Sequence, residues 1–349
     1  MKKPKRKNVL KRVIAILLSV IIGFTVLSMA GSVVIFKILY GRNELAGELE
    51  VSYSMIDSAR YPRRQLEITS GGVKLNSFVY GESDSDAEAL VIIAPGTNDS
   101  SEAHLAEMMF FVDNGCRVLA YDATGVKDSG GDGTVGLQQS KLDLRAVIAY
   151  ANENIGLPIV LYGHSLGGYA AAVCAGEKNV KGVISLSGFN SPVETMHCLA
   201  KRYIGIVADI EYPFLYLQNY FVFGENADPK AVDAINSVET PVLICHGSRD
   251  TVIEYDLSIY SHKDEISNPN VVCVSITDEK RSLHSGMWLE GESAAYLREK
   301  KLEYKEVSRT MTEGELKRFG ESFDAEKATR LDDSFMMMLL EFCKYALAQ

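Results

Sequence analysis

The sequence predicts an α/β protein in which a mostly parallel β-sheet is covered by helices on both faces. Short apolar and β-branched segments have the composition of strands buried on both faces. They are residues 89–94, 116–123, 159–162, 180–186, 241–246 and 270–276. Helical segments separate most of them, and this alternation is typical of a parallel sheet. The strand 159–162 runs directly into a glycine-rich turn and an alanine-rich helix. Because ligands of such sheets bind at the carboxyl ends of the strands, that turn is a candidate functional site.

The first 36 residues have the composition of a membrane anchor. Residues 1–12 contain seven lysines and arginines and no acidic residue, and residues 13–36 carry no charge. A helix over 13–36 is about 36 Å long at about 1.5 Å per residue, which is enough to cross a hydrocarbon core of about 30 Å. Basic flanks stay in the cytoplasm. We therefore predict a single-pass signal anchor with a cytoplasmic N-terminus, and an extracytoplasmic location for the large domain that follows.

A secretory signal peptide, cleaved after Ser28-Met29-Ala30, is the alternative to this anchor. The apolar run continues beyond Ala30 to Phe36 and is longer than a usual signal core, which favours the anchor. The predicted division of the chain is a basic flank, a membrane span, a juxtamembrane linker with helical tendency and one large domain. Their ranges are 1–12, 13–36, 37–63 and 64–349.

The composition of the body argues against nucleic acid as a partner, and against disulfides and a metal site. The 46 acidic residues and the 29 basic residues outside the first 12 positions give the body a formal charge of −17. Such a surface repels nucleic acid. The six cysteines have no paired spacing, so we interpret them as small apolar core residues rather than as disulfides. No cysteine or histidine spacing suggests a metal site, and we expect no cofactor.

The remaining elements of the large domain follow from local patterns. A Gly71-Gly72 turn between two strand-like segments predicts a hairpin from residue 66 to 80. A helix is predicted to begin near Ser100 or Ser101 and to end at Asn114-Gly115. Further helices are predicted at 137–154 and 252–266, and an apolar closing helix at 334–347. A helical cap insertion is predicted at 190–237, and most of its aromatic rings are expected to be packed. A charged helical insertion is predicted at 292–333, with breaks at Gly314 and Gly320.

The sequence Gly163-His164-Ser165-Leu166-Gly167 fits a turn that exposes a nucleophilic serine. In the G-x-S-x-G pattern the serine lies on a strained strand-to-helix bend, which lifts its hydroxyl clear of the sheet. Glycines at both ends leave room where a side chain would collide with its neighbours. The helix that follows begins with unpaired N–H groups, which can bind developing negative charge. The strand before and the helix after favour a catalytic Ser165 over a turn without chemistry.

A serine nucleophile needs a base, and the base needs an acid that orients it. In this arrangement the partners follow later strands in the order Ser, Asp, His. Asp250 follows the strand 241–246, and His284 lies in the loop after 270–276. Both are therefore predicted to act with Ser165. Asp278 is a weaker candidate for the acid because it shares a loop with the base.

Two backbone amides are predicted to form the oxyanion hole. One belongs to Leu166, the residue after the nucleophile. The other is expected from the loop after the strand 89–94, and Thr97, directly after Gly96, is our choice. Esterases commonly have His-Gly in this loop, whereas this chain has Pro95-Gly96.

The segments PG, YDATG, GHSLGG, HGSRD and LHSG together resemble the α/β-hydrolase superfamily. They are most similar to the serine aminopeptidase-like and the membrane-anchored Bem46-type hydrolases. The resemblance covers residues 66 to 284 and the closing helix. It implies an α/β-hydrolase fold with a variable cap, and catalytic roles for Ser165, Asp250 and His284. Ala123-Thr124-Gly125 stands where the family usually has Arg-Gly.

The leading hypothesis is a membrane-anchored serine hydrolase that cleaves a carboxylic ester or a related acyl compound through an acyl-enzyme. Its expected partners are a small acyl substrate and the membrane, and no nucleic acid. A peptidase or an acyltransferase with the same three residues is the alternative among enzymes. A non-catalytic binding protein on a hydrolase scaffold is the alternative of another class. The sequence identifies neither the acyl group nor the leaving group.

Overall fold

A computed structural model describes residues 5–43, 52–84, 86–308 and 310–349. The chain begins with a long helix, α1 (Lys5–Tyr40), which extends beyond the predicted span 13–36 at both ends. Its segment Val9–Val34 is long and apolar enough to cross a membrane, and almost all of its side chains are exposed. A membrane anchor and a signal sequence both have these properties. Residues 44–51 of the predicted linker 37–63 lie outside the described ranges, and most of its described residues lie outside helices.

Eight strands form one sheet in the order β1-β2-β4-β3-β5-β6-β7-β8. They are β1 (Arg63–Ser70), β2 (Val73–Tyr80), β3 (Ala89–Ala94), β4 (Cys116–Tyr121), β5 (Ile159–His164), β6 (Val180–Leu186), β7 (Val242–Gly247) and β8 (Val271–Ile276). The predicted hairpin is present as β1 and β2, which are antiparallel to each other, and β2 is also antiparallel to β4. All other neighbours are parallel, as predicted.

Helices cover both faces of the sheet. One face carries α3 (Gln139–Asn154), α4 (Leu166–Val173) and α7 (Ala231–Asn236), and the other carries α2 (Leu105–Asp113) and α11 (Asp333–Leu347). Strand β3 illustrates why its residues are all apolar. Successive side chains of a strand point to opposite faces, so Leu90 and Ile92 enter the first core while Val91 and Ile93 enter the second.

A helical cap follows β6, as predicted. It consists of α5 (Pro192–Ile204) and α6 (Val207–Phe223), whereas α7, also inside the predicted insertion 190–237, packs in the core against α4. Helix α1 lies against α6. The rings of Phe24 and Phe214 meet edge to face at 5.5 Å between centroids, and the Ser28 hydroxyl donates to Glu211 Oε1 at 2.9 Å.

The end of α1 is held by the glycine-rich loop that follows β4. The guanidinium of Arg42 donates to the carbonyls of Lys127, Ser129 and Gly131 at 2.8 to 3.0 Å. The backbone of Arg42 donates to Asp132 at 3.0 Å, and that of Asn43 donates to Gly125 at 2.9 Å. These contacts fix the junction between α1 and the body beside the carboxyl edge of the sheet.

Several local predictions are wrong. Helix α2 begins at Leu105 rather than near Ser100, because the Ser101 N–H donates to the Asp122 carboxylate instead of starting a helix. The predicted helix 252–266 is two short 3₁₀ segments, Tyr255–Leu257 and Ile259–Glu265.

In the charged region after β8, the helices end at other residues than the predicted breaks at Gly314 and Gly320. Its helices are α8 (Gly291–Val307), α9 (Glu313–Glu321) and α10 (Ala325–Ala328). Gly314 and Gly320 lie inside α9, which starts at Thr312 through reciprocal hydrogen bonds between Thr312 and Glu315. A good N-terminal cap offsets the low helix propensity of two glycines.

Most of the cap aromatics are not packed, contrary to expectation. Tyr203 is 75% exposed, Phe221 70%, Tyr220 51% and Tyr216 47%. A single pair of helices cannot bury a surface that is apolar on several sides.

The cysteines agree with the prediction, since all six are free and four of them are buried.

Candidate active site

Ser165 lies at the tight turn between β5 and α4. Its backbone has φ 56° and ψ −116°, a strained conformation for a residue with a side chain. The turn is possible because its neighbours are glycines. A Cβ on Gly163 would collide with the Gly167 carbonyl, and a Cβ on Gly167 would collide with the Ala94 carbonyl of β3. The sequence therefore forces the serine out of the sheet at its carboxyl edge.

The structure brings Ser165 together with the two predicted partners. His284 Nε2 lies 3.0 Å from the Ser165 hydroxyl oxygen, and His284 Nδ1 lies 2.7 Å from Asp250 Oδ2. The other carboxylate oxygen, Oδ1 of Asp250, accepts the N–H groups of Val252 and Ile253 at 2.9 and 3.0 Å. Asp250 is therefore fixed on both sides, and its orientation determines that of the imidazole.

Asp278, the rival acid, is exposed. Its Oδ1 accepts the N–H groups of Lys280 and Arg281 at 3.0 and 3.1 Å. It closes a turn on the loop that carries His284, whereas Asp250 contacts the imidazole itself. Of these two carboxylates, Asp250, which the sequence favoured, is the one that contacts His284.

The loops that carry Asp250 and His284 meet because Gly247 ends β7. A Cβ at Gly247 would collide with the Ser282 carbonyl. The Ser248 N–H donates to Ile276 at 2.9 Å, and the Arg249 N–H donates to Ser282 at 2.9 Å. These bonds join the two loops residue by residue. The role of Gly247 was not predicted, although it is the glycine of the HGSRD segment.

Two further residues hold the backbone of His284, and sequence reasoning missed both. His164 Nε2 donates to the His284 carbonyl at 2.8 Å, and the Ser187 hydroxyl donates to it at 3.3 Å. The imidazoles of His164 and His284 lie 4.8 Å apart between centroids. The only signal for His164 was its place within the G-x-S-x-G pattern, and Ser187 follows β6 without any motif.

The electrostatics of the site keep Asp250 charged and His164 neutral. Burial acts to raise the pKa of Asp250, but the hydrogen bond and charge of His284, with the Val252 N–H, lower the pKa below its ordinary value. Burial holds the pKa of His164 well below its ordinary range, and the neighbouring His284 and His104 lower it further. A neutral His164 with its proton on Nε2 is the form that donates to the His284 carbonyl.

The two predicted oxyanion donors flank the serine. Leu166 is the first residue of α4, and Thr97 lines the same cavity as Ser165. Within the described ranges neither backbone N–H donates a hydrogen bond to another protein group. The turn that carries Thr97 is held by Asp99, whose carboxylate accepts the Gly96 N–H at 3.1 Å.

A cavity of about 290 Å³ opens above Ser165. Its walls come from the strand ends, the cap and the end of α1. The lining residues are Tyr40, Thr97, Asp99, Leu137, His164, Ser165, Phe189, Thr195, Leu199, Val252, Ile253, His284 and Ser285. The cavity is accessible to a small acyl group and contains the hydroxyl and the imidazole together.

A group of possible metal ligands lies behind the turn. Ligand atoms of Asp99, His104 and His164 lie within 4.8 Å of one another. Sequence spacing did not reveal this group, because it is assembled from the ends of two neighbouring strands. Both histidines also have protein partners, since His104 Nδ1 lies 2.6 Å from Glu107 and His164 donates to His284.

Comparisons with known proteins agree with this architecture. The family model described as serine aminopeptidase, S33, matches residues 85–216. A search of curated proteins finds no match. A structure of the esterase Pf2001 from Pyrococcus furiosus is 22% identical, with a TM-score of 0.51 over 71% of this chain and 93% of that one. The ferulic acid complex of Est1E from Butyrivibrio proteoclasticus is 21% identical, with a TM-score of 0.48 over 68% and 98% of the two chains.

The strand order, with a serine on the tight turn after the fifth strand, is that of an α/β-hydrolase fold. Residues 85–216 match the serine aminopeptidase model, and the chain shares the fold of the Pf2001 esterase. The predicted fold class is therefore confirmed.

Proposed function

We propose that this protein is a membrane-anchored serine hydrolase that cleaves carboxylic esters or related acyl compounds. The observation that carries the proposal is the continuous hydrogen-bonded chain from the Ser165 hydroxyl through His284 to Asp250, at 3.0 and 2.7 Å. Such a chain lets a serine hydroxyl act as a nucleophile near neutral pH. The Pf2001 esterase has the same fold, which is consistent with this chemistry.

In the proposed mechanism Ser165 Oγ attacks the carbonyl carbon while His284 Nε2 accepts the hydroxyl proton. Asp250 stabilises the imidazolium and keeps the other proton on Nδ1. The N–H groups of Leu166 and Thr97 bind the oxyanion. The leaving alcohol takes the proton from His284. Water, deprotonated by His284, then attacks the acyl-enzyme and releases the acid and the free serine.

The anchor, rather than a cleaved signal peptide, is the state that we propose for α1. Ser28, at the alternative cleavage site, is buried, and its hydroxyl donates to Glu211 of the cap. Cleavage after Ala30 would remove this contact and the Phe24–Phe214 contact. The proposed orientation has the basic flank in the cytoplasm and the catalytic domain outside.

A serine peptidase is the second candidate, because the matching family model is that of serine aminopeptidases. The two functions differ in the leaving group and not in the nucleophile. A panel of nitrophenyl esters and aminoacyl amides, assayed with the full chain, separates them by the products released.

The test of the proposed function is Ser165→Ala. Turnover of the best ester should fall by about 10³-fold or more, since the nucleophile is lost while the oxyanion donors remain. Ser77→Ala is the matched control and should retain nearly full turnover, because Ser77 is a buried serine of β2 whose hydroxyl donates to the Leu75 carbonyl at 3.2 Å. A Ser165→Ala variant as active as the unmodified chain contradicts the proposal.

A further inference from the structure

A second cavity lies between α1 and the cap, and its walls are mostly apolar, although Ser28, His197 and Glu211 also line it. It has a volume of about 450 Å³. The apolar lining includes Leu27 and Gly31 from α1, Ala200 and Ile204 from α5, and Leu215 from α6. A volume of this size is in the range of small-molecule sites, about 300–1,000 Å³.

This cavity adjoins the cavity above Ser165. Tyr40, at the end of α1, and Leu199, on α5, line both of them. A chain attached to a carbonyl at Ser165 would have to pass these two side chains to enter the space between α1 and the cap. The cavity above Ser165 and the apolar cavity are therefore neighbours.

The outer surface of the same region is apolar. On the cap, Ile206 is 76% exposed and Ile210 53%, in addition to the exposed rings of Tyr203 and Phe221. A contiguous exposed apolar surface indicates an interaction site on a protein or a membrane. Helix α6 of the cap packs against α1, and most side chains of the α1 segment Val9–Val34 are also apolar and exposed.

The depth of the cap follows from its contacts with α1. A hydrocarbon core of about 30 Å spans about 20 residues of helix. With the basic block at the cytoplasmic boundary, residues 13–32 fill this core. The α1 residues that contact the cap, Phe24 and Ser28, then lie in the outer half of the bilayer. The exposed apolar side chains of α6 consequently face lipid rather than water.

We propose that the substrate is a long-chain acyl ester resident in the outer leaflet, and that its acyl chain occupies the cavity between α1 and the cap while its carbonyl reaches Ser165. This inference rests on the proposed serine hydrolase function. A polar or short substrate would leave the apolar cavity unfilled. In filling it, each added methylene stabilises the complex by ~0.8 kcal/mol, which corresponds to about a fourfold higher kcat/KM.

The test compares two glycines of α1 in the full chain, reconstituted into phosphatidylcholine vesicles. A Cβ at either Gly31 or Gly23 meets no heavy atom within 4 Å, and only Gly31 lines the cavity. The measured quantity is the ratio of kcat/KM for nitrophenyl laurate to that for nitrophenyl butyrate. Gly31→Trp should lower this ratio at least about tenfold, since a filled cavity excludes several methylenes. Gly23→Trp should leave it unchanged.

The Gly23→Trp control matters because laurate esters partition into vesicles more than butyrate esters do. That partition raises the ratio equally in both variants, so a difference between them reports the cavity. Ala200→Phe narrows the cavity from the α5 side and should lower the ratio even if Gly31→Trp disturbs the membrane helix. Fluorophosphonate labelling of Ser165 reports that each variant is folded.

The outcomes separate this inference from the proposed function. Butyrate hydrolysis that persists in Ser165→Ala contradicts the hydrolase assignment. Hydrolysis that depends on Ser165, with a laurate-to-butyrate ratio that neither Gly31→Trp nor Ala200→Phe lowers, overturns the lipid substrate and leaves the hydrolase assignment in place. Cross-linking of the cap to a second copy of the chain, with the ratio unchanged, would instead indicate that a protein covers this surface.

Discussion

The replacement Asp250→Asn should abolish most of the activity through the tautomer of His284. Oδ1 of Asp250 accepts two backbone N–H groups, those of Val252 and Ile253. In the variant the amide oxygen must take this position, because an NH₂ group there would oppose two donors. The amide NH₂ then faces His284 Nδ1 and donates to it. The remaining proton of the neutral imidazole moves to Nε2, so the imidazole can no longer accept the proton of Ser165.

The expected magnitude follows from the loss of both the tautomer and the charge. In Ser-His-Asp enzymes an amide at this position lowers kcat by about 10⁴-fold, or about 5 kcal/mol of transition-state stabilisation. We expect a loss of the same order here, because the donors on Oδ1 hold the amide in the inhibitory orientation. The fold should persist, since those two hydrogen bonds are retained.

The assay is ester hydrolysis by the full chain, with circular dichroism to verify folding. Asp278→Asn is the matched control, because Asp278 also accepts two backbone N–H groups but contacts neither His284 nor Ser165. It should retain nearly full activity. Activity of Asp250→Asn within tenfold of the unmodified chain would refute the reasoning. A larger loss of activity in Asp278→Asn than in Asp250→Asn would show that Asp278 is the acid and that the assignment of Asp250 is wrong.

Three other predictions concern the supports of the site. Gly247→Ala should lower kcat/KM by about 10²-fold, because its Cβ forces the two loops apart at the Ser282 carbonyl and misplaces the base; near-normal ester turnover would show that the loops relax. The buried His164 has a lowered pKa and stays neutral when folded, whereas the unfolded chain binds a proton below about pH 6.5. The free energy of unfolding should therefore decrease as the pH falls through that range. Chemical denaturation measured at a series of pH values should show a smaller decrease for His164→Gln than for the unmodified chain. Arg42→Ala removes three hydrogen bonds to loop carbonyls. We expect the free energy of unfolding to fall by about 1–2 kcal/mol and limited proteolysis to separate α1 from the body faster. An unchanged cleavage rate would show that these hydrogen bonds do not hold the helix.

The sheet and the three side chains of the site were predictable because local patterns determine them. Strands buried on both faces are short and wholly apolar, as in β3 and β5, and their ends mark the carboxyl edge of the sheet. Once Ser165 is located on such an edge, the topology limits its partners to the loops after later strands. Asp250 and His284 follow β7 and β8, so the sequence contained enough information to select them.

The supports of the site were not predictable, because they depend on contacts between distant segments. His164 and Ser187 act on the backbone carbonyl of His284, and nothing in the sequence indicates which carbonyl they meet. The same is true of the cap. The sequence identifies its aromatic residues, but only the packing of α1 against α6 shows that Tyr203 and Phe221 remain exposed.

The most direct measurement of the central claim is mass spectrometric mapping of a fluorophosphonate label on the full chain. Only a serine activated by a neighbouring base reacts readily with such a reagent. We expect one label per chain, on Ser165, and much slower labelling in His284→Ala. A label on a different serine, or none on a folded and membrane-reconstituted chain, would contradict the assignment of Ser165 as the nucleophile.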